Sequence, residues 1–397
     1  MADRTRGARS AYDRRRDSDA LRGWRERQYA RQARSQAWLL DRASRGAGRV
    51  AYDRLGELPR MARCGWPLGG IAGIRVQGGR AFVTGTEHCA SPWSCPLCTP
   101  VIRAQRARDV RRAIEYWQAG SGHGIAFLTL TVPHTPHDPL RAMIDLVSGA
   151  WSRMRGGQTW RAWARHAGIM HYIRSMEITW SPAGGWHCHL HVLLLLDRDF
   201  DPDRLRGDIH AMWATAVRKA APERKTPSKR HGVSVEKADG DMIRLAGYMS
   251  KTPDAKDSGR YDLAREMTRA DRKHARGADG LNPFQFLDDT QPAPTVTGAS
   301  MRDLWLEYVD ATSRRRSITW SRDLRRMAGL GVERTDRQII DDTIHGADAF
   351  ALDADEYRML RHAPSIRAFV LQKTETGEIP LALQVIDACL DTVATRN

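Results

Sequence analysis

The stretch GWHCHLHVLLLLD, residues 185–197, places His187, His189 and His191 at every second position and then runs into five aliphatic residues. In a β-strand, alternate residues share a face and stand about 6.6 Å apart. The three imidazoles therefore share one face, while Trp186, Cys188, Leu190 and Val192 take the other, toward packed helices. Three protonated imidazoles repel and three neutral ones desolvate one another. A divalent cation relieves both problems, because neutral imidazole is a good ligand for ions such as manganese or zinc. Glu177 stands on the preceding apolar segment, where a carboxylate needs a partner. The candidate metal ligands are thus His187, His189, His191 and Glu177. Two histidines and a carboxylate leave coordination positions open, and an open site beside a basic surface can polarise a phosphoryl oxygen.

Phosphodiester chemistry also needs a nucleophile. Tyr248 falls in the middle of a helical segment, GDMIRLAGYMSK (240–251), and Lys251 follows one turn later. A phenol is a weak nucleophile at its free pKa of about 10, and a neighbouring cation favours its phenolate character. On spacing alone a half-buried helix tyrosine explains Tyr248 equally well. Tyr261 and Tyr172 are the next tyrosines to consider. A second cluster, HCASPWSCPLC (88–98), holds Cys95 and Cys98 in a CxxC knuckle with Cys89 upstream, and Cys64 supplies a fourth sulfur. Four thiolates at such spacing fit a tetrahedral structural zinc, with His88 as a substitute ligand. Cys188 and Cys389 stand alone and read as core residues.

These residues need elements to hold them. GIAFLTLTV (124–132), MHYIRSMEITW (170–180), WHCHLHVLLLL (186–196) and GVSVEKA (232–238) have strand composition. SPAGG (181–185) joins the middle two as a hairpin. DPLRAMIDLVSGAWSRMR (138–155) and DPDRLRGDIHAMWATAVRKA (201–220) have apolar residues at helical spacing. The order β-α-β-β-α-β is the split βαβ arrangement of ferredoxin-like folds, an antiparallel sheet with helices on one face. The fold class is α+β. The chain divides into a basic helical or flexible arm (1–60), a zinc-binding segment with a basic helix (61–120), the strand-and-helix domain (121–255), a linker (256–300) and a mainly helical C-terminal region (301–397) that suits DNA binding or oligomerisation. In the last, Thr335 and Gln338 have the pattern of a helix start, and RRRSITWSRDLRR (314–326) forms a basic block in which Arg314, Arg315 and Arg316 are candidate DNA contacts.

Composition narrows the partners. The chain has 397 residues, enough for two or three domains, and its 63 Lys+Arg against 47 Asp+Glu give a net charge of +16. That excess points to a polyanionic partner, most often nucleic acid. No apolar run reaches the roughly 18–20 residues of a membrane span, and the N-terminus has no apolar signal core. The expected location is the cytoplasm, with no membrane partner. In that reducing compartment clustered cysteines suggest metal rather than disulfides.

FLTLTVPH (127–134), WHCHLHVLLL (186–195) and LAGYMSK (245–251), in this order, resemble three motifs of the rolling-circle replication initiators of bacterial plasmids, within the HUH endonuclease superfamily. WLEYVDATSRRRSITWSRDLR (305–325) and the SCPLC element look like those of actinobacterial plasmid initiators, and the likeness spans roughly residues 64–325. His189-Leu190-His191 matches the HUH pair, His187 the extra upstream histidine, Glu177 the acidic residue of the preceding strand, Tyr248 the catalytic tyrosine and Lys251 the lysine after it. The resemblance implies an HUH nuclease domain with a ferredoxin- or RRM-like sheet, a divalent cation (Mg or Mn) at the HUH site and nicking of plasmid origin DNA, met both as duplex and as single strand. It implies a 5′-phosphotyrosine intermediate, a 3′-OH primer, and host helicase and DNA polymerase as partners; a second copy of the chain is a further partner it allows. One departure stands out. Some relatives carry a glutamate one turn before the tyrosine, where this chain has Arg244. Asp241, Glu236 or Asp239 could take its place in termination, and Arg244 could instead hold phosphate and lower the tyrosine pKa. An HUH transposase and a non-catalytic zinc-containing DNA-binding protein are the competing readings.

Overall fold

The computed structural model describes residues 11–47, 58–238, 280–288, 295–342 and 345–394. Its elements in chain order are α1 (Ala11–Ala47), β1 (Ala72–Gln77), β2 (Arg80–Thr84), α2 (Cys98–Gln118), β3 (Gly124–Thr131), α3 (Leu140–Gly156), α4 (Gln158–His166), β4 (Ile169–Ser181), β5 (Gly185–Leu196), α5 (Pro202–Ala220), β6 (Val233–Lys237), α6 (Met301–Thr312), β7 (Ile318–Trp320), α7 (Leu324–Met327), α8 (Asp336–Asp341), β8 (Ala347–Leu352), α9 (Ala354–His362), α10 (Pro364–Glu375) and α11 (Ile379–Ala394). They fall into two compact units. One comprises residues up to Cys89 together with those from Ile340 onward, and the other runs from Ala90 to Ile339, apart from a short stretch outside the described residues.

The larger unit is built on a five-stranded antiparallel sheet in the order β6-β3-β5-β4-β7. Its first four strands follow the βαββαβ path expected from the sequence, and the α+β class holds. The hairpin β4–β5 turns through Ser181 to Gly185, where the Ser181 Oγ accepts the Gly184 N–H at 3.0 Å. Gly185 has a φ of +70°, and a Cβ there would stand 2.7 Å from Pro136 Cα, so only glycine fits. Along β5, Leu190 and Val192 to Leu196 are all fully buried, each contributing about 1.5–3 kcal/mol of burial free energy. Such a run requires cover on both faces. Helices α3 and α5 pack together, with α3 against β5 on the side of Leu190, Val192 and Leu194. On the other side Leu193 and Leu195 join Val110, Ile114 and Trp117 of α2 in one apolar cluster. This corrects the expectation of helices on one face: α2 covers half of the second face, leaving the histidine half to its polar residues.

Helix α2 also departs from its predicted basic face. Arg103 turns inward, its Nε donating to Pro92 O at 2.9 Å and its guanidinium lying 4.9 Å from the Trp93 ring centre. Arg106 is buried against Glu333 at 3.0 Å and Asp336 at 2.9 Å. The basic block of residues 314–326 contains a strand that its arginines concealed. Ile318–Trp320 pairs with Ile173–Ser175 of β4 and puts Ile318 into the core. Thr335 and Gln338 do start α8, through reciprocal side-chain to backbone bonds of 3.1 and 2.8 Å.

In the other unit the Arg-rich segment Ala11–Ala47 is a helix, burying Leu21, Trp24, Tyr29 and Leu39. Arg25 bonds Ala81 O at 2.8 Å and Glu375 at 2.7 Å, so it serves the interior. A three-stranded sheet, β2-β1-β8, pairs residues 72–84 with residues 347–352. No described helix is long and apolar enough to cross a membrane.

Candidate metal centre

Strand register brings the site together. On β5, His191 lies opposite Ser175 of β4 and Thr129 of β3, and His189 lies opposite Glu177 and Thr131. His187 lies opposite Thr179. All these side chains share one face, because cross-strand partners in an antiparallel sheet point the same way. Glu177 Oε2 is 2.9 Å from His189 Nε2 and 2.7 Å from His191 Nε2, and the two Nε2 atoms are 3.1 Å apart. Adjacent ligands keep about this separation around an ion with bonds near 2.1 Å. Protons alone do not satisfy the triangle: if both imidazoles donate to the carboxylate, their N–H groups crowd one another, and if one accepts, it loses its bond to the carboxylate. A cation accepts all three lone pairs. The residues therefore fit a divalent metal held by Glu177, His189 and His191.

The surroundings fix these ligands unequally. Thr129 Oγ1 is 3.2 Å from His191 Nδ1, so a His191 that ligates through Nε2 donates its Nδ1–H to that hydroxyl. Phe127 lies stacked on the His191 ring at 5.2 Å between centres. His189 Nδ1 is buried with no hydrogen-bond partner among the described residues. His187, expected in the ligand set, has a different neighbour: its Nδ1 lies 3.2 Å from His134 Nε2. Burial first, then the neighbouring imidazoles, push the His187 pKa down to about 4, and burial lowers that of His134, so both rings are neutral at ordinary pH. Of the four predicted ligands, three converge and the fourth pairs with a histidine that sequence reasoning gave no role.

Thr129 and His134 both lie in FLTLTVPH, and the alternation of Thr129 and Thr131 in an apolar strand was the signal for a second polar row on the histidine face. Glu236, on β6 opposite Phe127, is exposed on the same face. Tyr172 is on the opposite face, packed edge-on to Trp151 at 5.5 Å, and cannot reach the site. Tyr248, Lys251, Arg244 and Tyr261 lie outside the described residues. Among the candidate DNA contacts, Arg314 and Arg316 are exposed. Arg315 is bonded to Asp145 at 2.7 Å and to Ala311 O at 2.7 Å, and so is already engaged.

Of the second cluster, Cys64 and Cys89 belong to one unit and Cys95 and Cys98 to the other. Cys98 N–H points to Cys95 Sγ at 3.4 Å, and Cys98 opens α2, whose N-terminus favours a thiolate. The Gln32 and Gln36 amides both donate to Cys64 O at 2.7 Å, which fixes that backbone.

The chain is an α+β protein whose ferredoxin-ordered sheet brings together a carboxylate and two histidines that could hold a metal ion. Within it, residues 80–227 match the family model described as Replication protein. "Protein rep" of Streptomyces lividans is 29% identical over 376 residues, covering 79% of this chain and 80% of that protein. "Neomycin resistance protein" of Streptomyces cyanogenus is 25% identical over 154 residues, covering 33% of this chain and 35% of that protein. No solved structure matches the chain significantly. The likeness to a replication protein thus rests on a matched segment of 80–227 and on a similarity that runs over most of the chain.

Proposed function

We propose that the protein initiates rolling-circle replication by nicking one strand of its plasmid origin and later rejoining it. The observation that carries this reading is the convergence of Glu177, His189 and His191 within 2.7–3.1 Å on one face of the sheet. A divalent cation, Mg or Mn, held there would polarise the scissile phosphate. Tyr248 Oη attacks the phosphorus, the P–O3′ bond breaks, and the 3′ oxygen leaves as the hydroxyl that primes synthesis. The 5′ end stays esterified to Tyr248, and Lys251 and Arg244 supply positive charge to the phosphate. A structural zinc, if bound by Cys64, Cys89, Cys95 and Cys98 as their spacing in the sequence suggests, would tie together the chain between residues 64 and 98. The reaction takes place in the cytoplasm on origin DNA opened to a single strand, and host helicase and DNA polymerase extend the primer. A DNA-binding protein without catalysis would have no use for an open triangle of a carboxylate and two histidines, so the metal face favours the enzyme.

Incubation of supercoiled plasmid carrying the origin with the protein and Mn²⁺ tests this reading. The expected product is a nicked circle with protein covalently attached at the 5′ end, absent in Tyr248→Phe. Nicking that survives in Tyr248→Phe would place the nucleophile elsewhere.

A further inference from the structure

Beside the metal face lies a loop with no part in the chemistry described so far. Residues 225–231, Lys-Thr-Pro-Ser-Lys-Arg-His, connect α5 to β6 and contain no acid. Lys225, Lys229, Arg230 and His231 are exposed. No carboxylate among the described residues pairs with Lys225, Lys229 or Arg230. Arg224, just before them, is neutralised by Asp138, its Nη1 donating to Oδ2 at 2.9 Å. The fold has thus paired the cation that faces inward and left three facing water.

The loop is nevertheless rigidly built. Pro227 is buried, and its carbonyl lies 3.0 Å from His210 Nε2. Ser228 closes a turn, its carbonyl accepting the Gly232 N–H at 2.8 Å and its hydroxyl the His231 N–H at 3.2 Å. A Cβ on Gly232 would stand 2.6 Å from Pro227 Cβ and 2.7 Å from Ser228 O, so the turn excludes any larger residue. Its anchor fixes where it stands. Thr131 donates its N–H to Gly232 O at 3.0 Å and its hydroxyl to His231 O at 2.5 Å. Thr131 is the β3 residue directly across from His189, on the histidine face. The end of the loop, at His231 and Gly232, is therefore fixed to the β3 strand beside the metal centre, with Lys229 and Arg230 just before it in sequence and exposed.

We propose that this loop is a backbone clamp for the single DNA strand that crosses the metal face, with Lys225, Lys229 and Arg230 contacting phosphates next to the scissile one. Unpaired cations on a fixed loop lose little conformational freedom on meeting a polyanion and release its counterions. A loop of this kind gives contacts to phosphate and none to base edges, so it positions the strand without reading its sequence. The inference rests on the proposed nicking function, since that function puts a strand at Glu177, His189 and His191.

The test compares wild type with the triple variant Lys225→Ala, Lys229→Ala, Arg230→Ala and with a control triple, Arg153→Ala, Arg161→Ala, Arg165→Ala, which removes the same charge from the helix side of the sheet. The probe is a mixed-sequence single-stranded oligonucleotide, titrated at several salt concentrations, with thermal unfolding of each variant checking the fold. The clamp predicts an affinity at least about tenfold weaker for the loop variant near physiological salt, with the log–log salt slope reduced by about 2, since each single-strand phosphate contact carries roughly 0.7. The control triple keeps the wild-type slope, and Lys229→Arg retains binding. Wild-type affinity and slope in the loop variant, or an equal loss in the control, would overturn the clamp. A larger loss on duplex than on single strand would also overturn it. Nicking is scored in parallel: wild-type nicking with an unchanged loop slope removes the clamp and leaves the function standing, whereas a shifted slope in a protein that nicks under no metal removes the function and leaves the loop as a strand-binding surface.

Discussion

Thr129 shows how a metal ligand is oriented by a neighbour outside its own strand. Its hydroxyl is the partner of His191 Nδ1 at 3.2 Å, and without it the imidazole would hold neither its tautomer nor its angle. Thr129→Val keeps the shape and removes the bond, and the expected result is Mn²⁺ affinity about 10- to 100-fold weaker in calorimetric titration, with the thermal midpoint little changed. Glu177→Gln removes the only charge of the triangle and should reduce Mn²⁺ binding by more than that; equal affinity in Glu177→Gln and wild type would exclude the carboxylate as a ligand. His187→Ala separates the two readings of the third histidine. Because His187 is placed against His134 rather than Glu177, its removal should leave Mn²⁺ affinity within a few-fold of wild type. On the opposite side of β5, Leu194 is fully buried, and Leu194→Ala should cost about 2–5 kcal/mol in chemical denaturation through the cavity it leaves.

Secondary structure was legible wherever the period was long and clean. The alternation through Glu177 and the three histidines, the turn at Ser181–Gly185 and the helical spacing of residues 138–155 and 201–220 specify the hairpin and its two helices, with limits that agree to within about two residues. Where local pattern is weak, tertiary context decides. Ile318–Trp320 is three residues long and flanked by arginines, so nothing local marks it as an edge strand. Arg103 and Arg106 read as surface cations, yet burial against Trp93, Glu333 and Asp336 makes them part of the packing. The pair Asp138 and Arg224 was equally invisible, its members lying far apart in sequence. The bond from Arg224 holds the Asp138 carboxyl down at about 2, helped by bonds from Thr135. A carboxylate with a depressed folded pKa stabilises the fold fully above its unfolded value near 3.8 and loses that contribution as pH falls toward 2. Asp138→Asn should therefore lower the unfolding midpoint at pH 6 and make little difference near pH 2; an equal effect at both would show that the charge pair is not what matters.

At the scale of the whole molecule, the chain's two ends meet in one unit. β1 pairs with β8 across some 270 residues of sequence, and no periodicity in either short strand reveals it. Truncation after Ile339 removes β8, α10 and the Glu375 that holds Arg25, and should abolish cooperative unfolding of the N-terminal helix and sheet, read by circular dichroism. The cysteine cluster makes a separate prediction. A strong chelator should release one zinc per chain and lower the unfolding temperature, and Cys95→Ser should do the same without chelator. The net charge of +16 is spread between structural pairs, as at Arg25 and Arg106, and exposed cations such as those of the 225–231 loop, so total charge alone does not locate the DNA. The central claim is that Glu177, His189 and His191 hold the cation that cuts the origin strand. It is tested most directly by stripping the protein of metal, adding Mn²⁺ back in steps, and scoring nicked origin plasmid for wild type and Glu177→Gln side by side. Nicking that is absent in the stripped protein, returns with Mn²⁺ in wild type and fails to return in Glu177→Gln at the same concentrations is the predicted result. Full nicking by the stripped protein, or an identical Mn²⁺ response in Glu177→Gln, would contradict it.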